Sequence, residues 1–374
     1  MIGPGAWLGM LGGGQLGRMF AMAAHRLGYR VMALDPDPAC PIAATVDRFI
    51  CAPFHDPAAL ELIGSSCAAV TIETENIPPD SLRALEGRVV VAPGSRALSI
   101  AQDRIREKRF LADAGLPTAP YLVVDSFAAL QSAAVDPLLP GILKRSRFGY
   151  DGKGQLPIRS RDDLIKAFES LGGVPCVLEK RVSLERELSV ILARDSGGRI
   201  AFWPTAENHH VDGVLDRSIA PARVADSIGR FAPDQSARIA TALDYRGVLC
   251  VEFFLTTEGA LLVNEIAPRP HNSGHYTIDA SPTSQFEQQV RVLAGLPLGD
   301  TSLRSPVVMQ NLLGDLWATD APKWEAVLSR RGAHLHLYGK VVPRPGRKMG
   351  HFTCVGESLS EAIGLHREVL SGLT

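Results

Sequence analysis

Several absences narrow this sequence before any motif is read. Its 374 residues contain no C-x-x-C, and its six cysteines (Cys40, Cys51, Cys67, Cys176, Cys250, Cys354) never come closer than eleven residues. That spacing supplies neither a zinc site nor a dithiol redox pair. Their surroundings are apolar, as in Val248-Leu-Cys-Val251, so reduced core thiols and a cytoplasmic location are expected. No stretch approaches the ~18 consecutive apolar residues of a membrane helix. Residues 1–17 carry no charge, but they lack a basic start and are broken by Gly12-Gly-Gly14, so a signal peptide is not expected. Net charge is only −1. Bulk attraction to nucleic acid or an anionic membrane is thereby excluded, and any phosphate site must be local. There is no internal repeat and no low-complexity tract.

What remains is a chain that is 46% hydrophobic and 21% charged, the balance of a soluble globular protein. It is long enough for two or three cores. The first ninety-five residues alternate strand and helix signals: Trp7–Leu11, a helix from Gln15 to Leu27, then strands at Tyr29–Leu34, Ala68–Ile72 and Val89–Ala92. Such alternation predicts parallel βαβ units, a Rossmann-like domain over 1–95. A helix from Asp103 to Ala114, ended by Gly115 and Pro117, places Arg104 and Lys108 on one face. The region 96–297 mixes strands and helices in α+β fashion, and a smaller segment, 298–374, ends in a helix near Ser360–Ser371. The expected fold class is thus α/β and α+β in three domains.

Glu252 and Glu265, thirteen residues apart, carry the most chemistry. They lie in two apolar, β-branched runs joined by Thr256-Thr-Glu-Gly259, which predicts a β-hairpin pairing Glu252 with Val263 and leaving Glu265 diagonal to it. Two carboxylates and the Asn264 amide are costly in such strands unless they bind something positive. Hard oxygen donors with no His or Cys nearby favour magnesium, which usually carries a nucleotide's phosphates.

Two glycine-rich segments follow the same logic of close backbone approach. Gly12-Gly-Gly-Gln-Leu-Gly17 is a G-x-G-x-x-G between a strand and a helix, with Asp35 after the next strand. An NAD-dependent oxidoreductase is therefore one reading, and N–H groups at a helix start meeting an anion is the physics behind it. In Lys144-Arg-Ser-Arg-Phe-Gly-Tyr-Asp-Gly-Lys-Gly154, glycines and cations directly after a strand predict a flap over phosphates. It is no Walker A loop, because Lys153 precedes Gly rather than Ser or Thr. Glu73 stands at a strand's carboxyl end, where open α/β sheets bind ligands, whereas Glu75 is expected to be solvated or near an Asn76 helix cap. His209 and His210, adjacent on a strand, point oppositely and make no zinc site. Gly339–His351 is a basic loop suited to one phosphate monoester.

Together Gly12–Arg18, Thr71–Asn76, Phe148–Gly154, Pro268–His275 and Gly346–His351 resemble the ATP-grasp superfamily. Within it the resemblance is to the 5-(carboxyamino)imidazole ribonucleotide synthetase family of purine biosynthesis, and it runs from about residue 5 to 355. The resemblance implies a central ATP-grasp domain, a homodimer and a ligase releasing ADP and phosphate. Its small-molecule substrates would be ATP, bicarbonate and aminoimidazole ribonucleotide. ATP would meet Arg104, Lys144, the flap residues Gly149, Gly152, Lys153 and Gly154, and the strand end Glu179, Lys180, Arg181 and Val182. Glu187, His210, Asn264 and Glu265 would complete that site, with magnesium on Glu252 and Glu265. Gly14, Gln15, Leu16, Glu73 and Asn76 would border the ribonucleotide, together with Asn272, Ser273, Arg347 and Lys348. Arg269, His271 and Tyr150 are matched to a carboxyphosphate intermediate, Asp151 to the attacking amine, and Lys340 and Arg347 to the 5′-phosphate. A formate-dependent glycinamide ribonucleotide transformylase is the rival of the same fold, though it typically reads R-P-H-D-T-G where this chain has Arg269-Pro-His-Asn-Ser-Gly274.

Overall fold

The computed structural model describes residues 1–132, 134–149, 152–318 and 320–373. Its first sheet is entirely parallel and runs, edge to edge, Arg48–Cys51, Arg30–Asp35, Trp7–Leu11, Ala69–Ile72, Val90–Val91. The strand Arg48–Cys51 is not foreseen from the sequence; at four residues, two of them half-buried, it carries too little apolar pattern. Leu8, Met10, Phe20 and Ala33 build the core on one side, and Leu11, Ile63, Val70 and Ile72 that on the other. Burial on both faces is why these strands read as apolar runs rather than alternations.

A small antiparallel sheet follows, ordered Tyr121–Val124, Cys176–Lys180, Gly141–Arg145, Gln155–Ile158. The helix Arg161–Ser170, closed by a Ser160/Asp163 capping box, covers its core of Leu143, Phe168 and Leu178. The large sheet is antiparallel. It begins at Leu261–Ala267 and Gly247–Thr256, passes through Leu184–Arg194, Ala206–Val211 and Val214–Ala220, and continues into Val307–Leu313, Lys348–Val355 and Ala333–Leu337. The strands of the last segment therefore extend the central sheet instead of forming a separate one. Lys348–His351, expected within a loop, is the start of one of those strands.

The Glu252/Glu265 hairpin differs from expectation in register. Leu255 pairs with Leu261 and Phe253 with Val263, but a bulge at Asn264 then sets Glu252 directly opposite Glu265. The loop holds one residue more than expected and the bulge adds a second, and together they shift the two carboxylates from diagonal to facing.

Candidate functional site

A cleft of about 610 Å³ opens where the three sheets meet. The N-terminal sheet lends it Gln15, Leu16, Glu73, Glu75 and Asn76; the helix Arg104–Asp113 lends Arg104 and Glu107. Phe148, Gly149 and Lys153 reach it from the flap, Glu265, Arg269, His271 and Asn272 from the large sheet and the turn beyond it, and Lys340, Arg347 and Lys348 from the C-terminal segment. Gly14, Lys144, Gly152, Gly154, Glu187, His210, Glu252, Asn264 and Ser273, also expected at the site, stand outside this lining, as do Glu179 to Val182. Tyr150 and Asp151 lie outside the described residues.

The carboxylate pair is strongly unequal. Arg104 Nη1 sits 2.8 Å from Glu265 Oε2 and holds that carboxyl below its ordinary range despite burial. Glu252 has no such partner: burial, then the charge of Glu265, pushes it up to about 7. The expectation of no nearby His or Cys is corrected here. His271 Nε2 lies 3.2 Å from Glu252 Oε1, and Cys250, on the same face of the strand, completes a group with them. Ser273 N–H donates to His271 Nδ1 at 3.3 Å, which leaves the imidazole proton on Nε2, facing Glu252. Burial and the charge of Arg269 keep that imidazole neutral, well below its ordinary pKa. Burial also holds the Cys250 thiol well above the ordinary range, so it stays protonated and offers no thiolate to a soft metal. Beside Glu252 stand the oxygens of Glu265 and of the bulged Asn264, whose buried Oδ1 is unpartnered, so three hard oxygen-donor side chains are gathered at the hairpin.

Behind them lies a buried charge relay between two sheets. Glu179 accepts a hydrogen bond from Lys144 Nζ at 2.7 Å and is ion-paired with Lys108 Nζ at 3.1 Å, and Lys108 is fully buried and reaches the Asn264 carbonyl at 3.3 Å. Burial alone would raise the Glu179 carboxyl, yet the two lysines hold it down to about 2. Glu107, not singled out from the sequence, accepts the Ile266 N–H at 2.7 Å, so it braces the backbone next to Glu265. The signal for it was available, since Arg104, Glu107 and Lys108 stand at i, i+3 and i+4 of one helix. Lys180 and Arg181 give their N–H groups to the Pro120 and Pro140 carbonyls. A nucleotide contact at this strand end therefore falls to its other groups.

Two further expectations are revised. Gly13 N–H donates to Asp35 Oδ2 at 2.7 Å and Gly14 N–H to Glu73, so the first glycine loop is filled by the protein's own carboxylates, and Asp35 is not left for a ribose. Glu75 is neither solvated nor beside a helix cap. It takes Nε and Nη2 of Arg269, the latter at 3.0 Å, while Pro78 rather than Asn76 precedes the next helix. His210 and His209 do point apart: His210 Nδ1 meets Glu187 Oε2 at 2.8 Å, and His209 faces Asp216 at 3.6 Å. Lys340 donates to the Lys348 carbonyl at 2.7 Å and Arg347 to the Val342 carbonyl at 2.8 Å, which folds the basic segment over the cleft. Asn272 is 6% exposed, and neither amide atom of its side chain has a partner. A buried amide without hydrogen-bond partners, on the wall of a cleft, is a candidate for binding.

Two antiparallel sheets gripping one cleft, with lysines on the small sheet and facing carboxylates on the large one, form the ATP-grasp arrangement. Comparison with known proteins agrees. The ATP-grasp domain matches residues 109–286, a ribonucleotide synthetase preATP-grasp domain residues 6–102, and a phosphoribosylaminoimidazole carboxylase C-terminal domain residues 307–364. The N5-carboxyaminoimidazole ribonucleotide synthase of Brucella melitensis is 46% identical over 352 residues, covering 94% of this chain and 96% of its own; that of Bacillus subtilis is 43% identical, covering 97% and 95%. The Thermus thermophilus synthetase structure superposes with a TM-score of 0.90 at 41% identity, each chain 98% covered. An Aspergillus clavatus synthase structure containing ADP and 5-aminoimidazole ribonucleotide gives 0.88 at 30% identity, with 99% and 98% covered. The chain belongs to the N5-carboxyaminoimidazole ribonucleotide synthase family.

Proposed function

We propose that this chain is the ATP-dependent ligase that carboxylates 5-aminoimidazole ribonucleotide to N5-carboxyaminoimidazole ribonucleotide in purine biosynthesis, with bicarbonate as the carbon source. The observation that carries the reading is one cleft lined at once by Glu265 of the carboxylate hairpin, by Arg269, His271 and the unsatisfied Asn272, and by the basic Lys340–Lys348 segment. An anionic activated carbonate and a ribonucleotide monoester both need such cations, and they need to be adjacent.

Glu252, Glu265 and Asn264 would hold magnesium, whose charge, once bound, neutralises the ATP phosphates. In this structure Arg104 supplies positive charge to Glu265, whereas burial and the charge of Glu265 raise the Glu252 carboxyl. Lys144, now on Glu179, is placed to turn toward a phosphate while Lys108 keeps Glu179 neutralised. Bicarbonate oxygen attacks the γ-phosphorus and ADP leaves. The exocyclic amine of the ribonucleotide then forms the C–N bond as phosphate departs, and the amine proton is lost. Neutral His271, its one N–H on Glu252, adds no charge to the site, and Arg269, already paired with Glu75, offers a fixed electropositive edge to the carbonate. Arg347 and Lys348 serve the 5′-phosphate. The same reading divides the chain at 1–95, 96–297 and 298–374, and takes it as a cytoplasmic homodimer. Six free cysteines, and the lack among the described residues of a helix long and apolar enough to cross a membrane, support that location.

ADP release that depends on both aminoimidazole ribonucleotide and bicarbonate tests the proposal. Glu265→Gln should cut that release at least about 100-fold while the circular dichroism spectrum is retained, because a hard anionic ligand is lost. Turnover of glycinamide ribonucleotide with formate, and none with bicarbonate, would overturn it in favour of the formate-dependent rival.

A further inference from the structure

Phe148 is anomalous in three independent respects. It is 69% exposed, although a phenyl ring is among the costliest groups to leave in water. Its φ is +61°, a left-handed conformation that a side chain with a Cβ rarely adopts. It also lines the ligand cleft. Nothing in the large sheet or the carboxylate hairpin explains why an aromatic residue stands there.

Its neighbours hold it in place. Arg147 lies over the ring, its guanidinium carbon 5.6 Å from the centroid. The same guanidinium donates to Gln102 Oε1 at 2.8 Å, and Gln102 in turn donates to the Glu75 and Ile77 carbonyls, beside the acidic strand exit of the N-terminal sheet. At the base of the flap, Ser146 Oγ donates to Asp103 Oδ1 at 2.6 Å, and Arg104 N–H donates to the Ser146 carbonyl at 2.9 Å. One face of the ring is therefore backed by a cation that is itself anchored.

We propose that Phe148, backed by Arg147, is a stacking platform for the aromatic five-membered ring of the ribonucleotide acceptor, and so a positioning and specificity residue of this chain. The inference rests on the functional reading given above. The chemistry is sequence-tolerant stacking, in which a π-face meets a π-face at close range and a cation behind the phenyl steadies it. Placement decides which ring is met. The cleft that Phe148 lines holds the ATP-side Arg104, Lys153 and Glu265 as well as Glu73, Asn76, Lys340 and Arg347, but the cation backing the ring is anchored through Gln102 to the Glu75 carbonyl on the N-terminal side, and the strand end Glu179 to Val182, where ATP is also expected, lies outside that lining. A flat ring lying on Phe148 would orient its exocyclic amine relative to the His271 and Arg269 wall, which is a gain in orientation as well as in affinity.

Steady-state kinetics on the full-length enzyme test this with Phe148→Gly, Phe148→Leu and Phe148→Tyr. Glycine is informative because it relaxes the left-handed backbone, so it should leave the melting temperature unchanged or raised. Expected for Gly and Leu is a rise in KM for aminoimidazole ribonucleotide of roughly five- to tenfold, the low end of base–aromatic stacking, with KM for ATP within about twofold. Tyrosine keeps the π-face and should restore a near-native KM. An unchanged acceptor KM, an equal rise for both substrates, a rise for ATP alone, or a tyrosine variant as poor as leucine would each overturn the platform. Failure of the unaltered enzyme to carboxylate aminoimidazole ribonucleotide is a separate result and would overturn the functional reading instead.

Discussion

The two glycine-rich loops of this protein read alike as sequence and are opposite as structure. Gly12 to Gly17 is a closed device. Gly13 and Gly14 spend their N–H groups on Asp35 and Glu73, and a Cβ added at Gly17 would sit 2.8 Å from the Gly12 carbonyl. Glycine serves there to let side chains and backbone of the same protein pack without a gap. The flap glycines Gly149, Gly152 and Gly154 make an open device. Gly152 and Gly154 have φ of +74° and +73°, and the backbone at Gly152 touches the Asp212–Gly213 turn of the neighbouring hairpin, itself left-handed at both residues. A glycine motif thus promises close backbone approach but not the identity of what approaches. In the first loop carboxylates from the ends of the two strands flanking Trp7–Leu11 have taken the place of an external anion; in the second the space remains at the edge of the cleft.

If that contrast holds, the first loop should break as structure and the second as function. Gly13→Ala carries the largest expected effect. Its Cβ would stand 2.9 Å from both the Asp35 and Cys40 Cβ atoms, inside a packed core and beside a hydrogen bond it would disturb. A loss of about 2–3 kcal/mol in unfolding free energy is expected from overpacking of this kind, read as a lower denaturant midpoint. A variant of native stability would show that the loop is not closed at all. Gly152→Val should act the other way round. Valine is strained at φ +74° and its Cβ would meet the Asp212 carbonyl at 3.0 Å, yet the loop can open, so stability should fall by no more than about 1 kcal/mol. KM for ATP should rise roughly tenfold and ADP release should become partly uncoupled from product, because the flap can no longer settle over the site. A large drop in stability with native kinetics would reverse the assignment of the two loops.

How much of this was legible beforehand follows from the range of each interaction. The parallel N-terminal sheet, the flap strand and the paired glutamates are local patterns, and their periodicity and residue types suffice to foresee them. The facing register of Glu252 and Glu265 was not legible, because the bulge at Asn264 is decided by packing across the hairpin rather than by its composition. Nor was the destiny of Glu75: its partner Arg269 is 194 residues away, and a half-buried bidentate pair looks in sequence like two solvated charges. Glu107 and Lys108 were visible as a helical face with Arg104 but not as brackets of the site, since their partners Ile266, Asn264 and Glu179 come from two different sheets. His271 beside Glu252 escaped for the same reason, and with it the fact that an imidazole accompanies the hard oxygen donors.

The smallest effect sharpens the comparison from inside the closed loop. Glu73 and Glu75 leave the same strand two residues apart, yet their carboxyls move in opposite directions. Arg269 holds Glu75 below its ordinary range, whereas burial pushes Glu73 up to about 7 from an ordinary value near 4.5, with the Gly14 N–H opposing that rise only in part. The sign of the consequence is fixed by proton linkage. Between pH 4.5 and about 7 the folded protein retains a proton on Glu73 that the unfolded chain has released, so this group makes stability fall as pH rises through that window. Glu73→Gln keeps an oxygen for the Gly14 N–H and removes the titration. The ligand-free variant should therefore show a flatter dependence of melting temperature on pH than the native enzyme. The two curves should lie close near pH 5 and separate above pH 7, with the variant higher. Partial exposure and the nearby Lys340 and Arg269 temper the gain to about 1–2 kcal/mol at pH 8. Parallel curves across the range would mean that the carboxylate closing the first glycine loop is ionised throughout. The loop would then be an anion site holding a resident anion, and the difference between the two loops would lie in the occupant alone.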